Sequence, residues 1–104
     1  MAITKISELG EEGRIYEVEG TVVKVLDVRE VVTKKGNKLK VQNIDISDEP
    51  EAEDPITLRV TLWEGDTNKF QIGDRVAVKG IFERYNQYYQ MKIPRDGYIK
   101  KLME

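Results

Sequence analysis

Residues 56–80 read ITLRVTLWEGDTNKFQIGDRVAVKG. The first eight alternate without error: Ile56, Leu58, Val60 and Leu62 fall on one side of an extended chain, and Thr57, Arg59, Thr61 and Trp63 on the other. A strict two-residue period predicts a half-buried strand. Arg75 to Arg84 predicts another, with Val76, Val78 and Gly80 in one row. Between them, EGDTNKFQIGD has room for a helical turn, with Asp66 or Thr67 as its cap and Phe70 and Ile72 placed to cover the open end of a sheet.

Outward from this stretch, β-branched and aromatic residues recur in short runs punctuated by Gly, Asn and Asp. Ile15 to Arg29 predicts a long first strand, with Gly20 inside it and a change of apolar phase at Val22 and Val23, where a bulge bends the chain. KKGNK, Lys34 to Lys38, predicts a hairpin turn in which Gly36 and Asn37 tolerate positive φ. A second strand follows over Lys38 to Ser47, then DEPEAEDP, a solvated acidic loop. RYNQ turns the fourth strand into a fifth at Tyr88 to Ile93, and the tail DGYIKKLME forms a strand or a helix. Five strands, the first long and curled, with a short helical plug between strands three and four, give an all-β fold. Their order is that of a five-stranded Greek-key OB-fold barrel, one domain over residues 1–104.

Composition narrows the chemistry. The 104 residues include no His and no Cys, so no Ser-His or Cys-His nucleophile pair, thiolate or imidazole zinc site, or disulfide exists. No Gly-rich phosphate fingerprint and no calcium-loop spacing occurs, and the expectation is a binding module with no cofactor, no metal and no catalysis. The longest uncharged run, Tyr85 to Met91, is too short to span a bilayer, and the expected setting is cytoplasmic, with no membrane partner. A charged fraction of 35%, rich in Lys and Glu, resembles thermophile usage. The net charge of −2 conceals segregation: Val31 to Ile44 carries +4, Asp45 to Ile56 carries −6, and Arg75 to Glu104 carries +4. The two basic segments hold the loops with which such a barrel grips a strand, so Lys34, Lys35, Lys38 and Lys40 are candidates for phosphate contact, or else solubilise a hairpin.

Aromatics supply the second signal. Trp63 leaves the core beside Arg59 and Thr61, an arrangement suited to stacking on a base, or else to an indole that folds over a barrel edge as an outer core residue. If Tyr89, Met91 and Ile93 face the core, then Tyr88, Gln90 and Lys92 face outward. Phe82 either continues the core row of Val76, Val78 and Gly80 or meets a ligand, whereas Tyr16 and Tyr98 have structural positions.

VEGTVVKV, TKKGNK, LRVTLWEGD, IGDRVAVKG and YNQYYQM together resemble the single-stranded DNA-binding domains of archaeal replication protein A and the related archaeal single-stranded DNA-binding proteins, over about residues 3–102. The resemblance implies base stacking by Trp63, Phe82 and Tyr85, and backbone contacts by Arg29, Lys34, Lys35, Lys38, Arg59 and Arg84. It implies single-stranded DNA as the partner, bound with little sequence preference in replication, repair or recombination, together with other OB-fold domains of the same protein or replication and repair proteins. The DEPEAED insertion departs from the tight turn usual between strands two and three, and a single barrel without zinc ligands fits an excised domain or a short member. Two other classes stay open on the residues alone: a protein-interaction scaffold, motivated by the acidic loop, and an RNA- or transfer-RNA-binding barrel.

Overall fold

The computed structural model describes residues 3–85 and 88–102, with Tyr85 described by its backbone alone. Seven strands form one sheet: β1 (Ile15–Val25), β2 (Arg29–Val32), β3 (Lys38–Ser47), β4 (Leu58–Trp63), β5 (Arg75–Tyr85), β6 (Tyr88–Lys92) and β7 (Tyr98–Lys101). The path of pairings β1–β3–β4–β6–β5 returns to β1. Every contact along it is antiparallel except β4 with β6, which run parallel.

The all-β expectation holds, and its five strands become seven. The long first strand is interrupted: β1 pairs with the second half of β3 and β2 with its first half, so both lie along the same edge of β3. At the interruption the backbone is satisfied by other partners. The Leu26 amide donates to the Asn43 carbonyl at 3.0 Å, and the Leu26 carbonyl accepts the buried Gln42 side-chain amide at 2.9 Å. The phase change at Val22 and Val23 is a register shift between Val22 and Lys24, which keeps Val22 opposite Ile46 and puts Lys24 opposite Asp45. The tail resolves to a strand, β7, on β5.

The helical plug is a single 3-10 turn, Glu64–Asp66, with no side-chain cap on its leading end. Glu64 and Asn68 both adopt positive φ, 49° and 62°, and so break any longer helix. What holds the segment is Gln42, whose side-chain oxygen accepts the Asn68 amide at 2.8 Å. Phe70 is buried as expected; Ile72 is 69% exposed and covers nothing.

The interior is filled by Val18 and Val22 of β1, Ile44 and Ile46 of β3, Leu58, Val60 and Leu62 of β4, Val76, Val78 and Phe82 of β5, and Met91 of β6, closed at one end by Ile6 and Leu9. Ile56 lies before β4 and is half exposed, not in the core row. The β2–β3 hairpin turns at Gly36, φ 84°, while Asn37 keeps negative φ; the Thr33 amide donates to the Asn37 carbonyl at 2.8 Å.

Gly80 is required by packing. A Cβ there would run into the Lys92 carbonyl oxygen and stand 2.8 Å from the Met91 Cγ, next to the Ile81–Lys92 pair where the β5–β6 ladder ends. Gly80→Ala is expected to cost about 1–3 kcal/mol in urea unfolding through overpacking. Gly65→Ala, which opens onto empty space, is expected to stay within about 0.5 kcal/mol.

Candidate nucleic-acid interface

Because β4 alternates, its pairings assemble the outer surface. Arg59 lies opposite Asp45 of β3 and beside Gln90 of β6; Thr61 lies opposite Asn43 and beside Lys92; Trp63 lies opposite Val41. Directly paired residues project to the same side of a sheet. One face of three strands therefore carries a tryptophan, amides, hydroxyls and cations, while the residues between them form the core.

Two hollows open on this face, one toward each end of β4. The first, about 470 Å³, is lined by Asp45, Arg59 and Gln90, with Tyr88 and Tyr89 on one side and Ile56 and Thr57 on the other. The second, about 360 Å³, is lined by Thr61, Trp63 and Asp66 and by the turn into β7. At roughly 3.3 Å per residue, Trp63 lies about 17 Å along the sheet from the level of Leu58 and Tyr89.

Arg59 holds Asp45 through two bonds, Nε to Oδ1 at 2.9 Å and Nη2 to Oδ2 at 3.3 Å. The hydrogen bond to Asp45 holds the guanidinium pKa above its ordinary value, burial opposing and the Asp45 charge assisting. Beside the pair, the Thr61 hydroxyl donates to the Asn43 side-chain oxygen at 2.9 Å.

Trp63 is 44% exposed on this face, and Tyr88 is 68% exposed at the far end. Tyr89 and Met91 turn inward, so the alternation expected for β6 holds. Phe82 corrects the stacking expectation: it is fully buried, edge-on to Tyr16 and Tyr89 at 6.0 and 5.5 Å between ring centres, and presents no ring face. The Tyr85 side chain, with Asn86 and Gln87, lies outside the described residues.

The cations divide. Arg29 pairs with Val41 and so shares the Trp63 side of the β2–β3 ribbon. Lys38 and Lys40 alternate with Leu39 and Val41 and project to the other side, while Lys34 and Lys35 sit in the exposed turn. Lys92 reaches Glu83 at 3.4 Å. Arg84 lies over the Tyr89 ring at 5.3 Å, away from the β4 row. Lys24, opposite Asp45, joins the face only once the β1 bulge is known. Tyr16 packs on the core, and the Tyr98 hydroxyl donates to Glu17, which raises the phenol pKa, so both are structural.

The acidic loop leaves β3 at Ser47 and enters β4 at Leu58, the end remote from Trp63. Asp48 accepts the Ile6 amide at 2.8 Å, and its first residues lie beside Glu19, Thr21 and Arg75. Among the described residues no helix is long and apolar enough to cross a membrane.

Burial separates the two kinds of aromatic. Phe82→Ala is expected to cost about 3–5 kcal/mol of stability, whereas Tyr88→Ala stays within about 0.5 kcal/mol, both read by thermal or urea unfolding.

No protein-family model matches the chain. Replication factor A of Methanothermobacter thermautotrophicus is 36% identical over 93 residues, which are 86% of this chain and 11% of that protein. The second OB-fold domain of replication protein A from Methanococcus maripaludis superposes with a TM-score of 0.76 at 20% identity, covering 99% of this chain and 97% of that one. A replication factor A related protein from Methanobacterium thermoautotrophicum gives 0.76 at 24% identity, covering 97% and 91%. The chain spans about a tenth of the replication factor A it matches. It is an OB-fold domain of the replication factor A kind, homologous to one segment of the archaeal protein.

Proposed function

We propose that this domain binds single-stranded DNA along the outer face of β3, β4 and β6, with little overall sequence preference and without catalysis. In this reading the closed cycle of five strands is the OB barrel, and β2 and β7 are additions to it. One observation carries the proposal. Trp63 stands 44% exposed on a polar face while its neighbours Val60 and Leu62 fill the core completely. An indole left this exposed among polar neighbours is suited to stacking on a base, a sequence-tolerant contact.

Tyr88 would supply a second stacking surface beyond the far end of β4, and Arg29, Lys34, Lys35 and Lys92 cations for the backbone. Lys38, Lys40 and Arg84 would act from the flanks of the track. The acidic first half of the 48–55 loop, beside β1 and Arg75, leaves the Trp63 end clear. As a homologue of one segment of a longer protein, the domain would work beside further OB-fold domains in replication, repair or recombination.

Titration with oligo-dT is expected to quench Trp63 fluorescence, and Trp63→Ala to weaken binding by about 1–3 kcal/mol while the protein stays folded at the titration temperature. A folded protein whose Trp63 emission ignores oligo-dT at low salt contradicts the proposal.

A further inference from the structure

The Arg59–Asp45 pair is unlike an ordinary phosphate contact. Both partners line the 470 Å³ hollow. Asp45 is only 9% exposed, so water screens its charge poorly. A phosphate drawn to Arg59 would also meet that carboxylate, and the pair as a whole carries no net charge. The hollow therefore suits a neutral, flat, hydrogen-bonding group.

The geometry leaves Arg59 free to bind one. Its Nε and Nη2 hydrogens on one side are taken by the two Asp45 oxygens. A guanidinium carries five N–H donors, so among the described residues the end formed by Nη1 and the second Nη2 hydrogen remains open. That end is a parallel donor fork whose direction Asp45 fixes. Tyr88, largely exposed, lines the same hollow and offers a ring on which a base can stack, and Gln90 supplies an amide at its edge.

Resting on the single-stranded DNA reading and deepening it, we propose that this hollow is a base-reading position that prefers guanine, with Arg59 donating to O6 and N7 and Asp45 acting as the positioning residue that aims it. An arginine fork on these two acceptors is the commonest specific side-chain contact with a base. The phosphates pass outside the pair, along Lys24, Lys92 and the hairpin cations. Arg59 is thus a contact that binds without neutralising backbone charge.

The test walks a single dG through an oligo-dT of about twelve nucleotides, within the span of one OB fold, and measures affinity at several salt concentrations. One position is expected to bind about tenfold tighter as dG than as dT, the gain of one bidentate contact, with dA and dC at that position giving no such gain. The salt slope should be the same for both oligonucleotides, since a base contact releases no counterion. The double variant Asp45→Asn with Arg59→Gln replaces the ion pair by a neutral amide pair without stranding a buried charge. It is expected to fold, to lose the dG preference and to keep the salt slope. Uniform affinity for dG at every position, with oligo-dT still bound, overturns the guanine position and leaves the broader reading standing. A salt slope lower by about 0.7 in the double variant assigns Arg59 to a phosphate and overturns it as well. Failure to bind any oligonucleotide overturns the reading on which it rests.

Discussion

The register of β4 is the constraint on which the rest of the molecule depends. Leu58, Val60 and Leu62 have no exposed surface, and β4 is flanked on both sides, antiparallel by β3 and parallel by β6. A slip of one residue would drive Arg59, Thr61 and Trp63 into the interior and put three aliphatic side chains into water. The same pairing that closes the core therefore sets the spacing of the outer face. Fold and interface are two sides of one alternation, and stability holds the interface in place.

This explains which features were legible from the chain. The inward row of β4, the outward Trp63, the bulge at Val22 and the inward–outward pattern of β6 all follow from two-residue periodicity, a local property. The break between β1 and β2 is not local, because it depends on Gln42 capturing the Leu26 carbonyl from a strand sixteen residues away. The shortness of the plug has a similar cause: Gln42 also takes the Asn68 amide, which lets a loop with two positive-φ residues dispense with helical bonds. Phe82 was ambiguous because the row Val76, Val78, Gly80, Phe82 fits a core strand as well as a strand end bearing a ligand contact. Its burial against Tyr16 and Tyr89 emerges only when β1 and β6 close on either side of β5.

The candidate interface was legible in part. Trp63 and Tyr88 could be read as outward from alternation alone. The Arg59–Asp45 pair could not, since it joins residues fourteen apart through the register of β3 with β4. A free cation in the sequence thus becomes one half of an ion pair in the fold, a donor oriented by its carboxylate. The hairpin lysines show the converse: of four cations close in sequence, Lys38 and Lys40 project from the side of the ribbon away from Trp63, and Lys34 and Lys35 stand in the turn at its tip. Charge segregation along the chain survives folding, however. The acidic segment leaves β3 at the end of the sheet opposite Trp63, so a net charge of −2 coexists with a cationic hairpin at the other end.

The central claim is that the outward residues of β4 and its two neighbours are where a strand of DNA lies. Amide chemical shifts recorded during titration of the labelled domain with oligo-dT address it most directly. The account predicts that shifts concentrate at Asn43, Asp45, Arg59, Thr61, Trp63, Gln90 and Lys92, with Glu49 to Asp54 and the β1–β5 core pair Val18 and Val78 nearly still. Shifts centred on the acidic loop or on β7, with β4 unmoved, would contradict it.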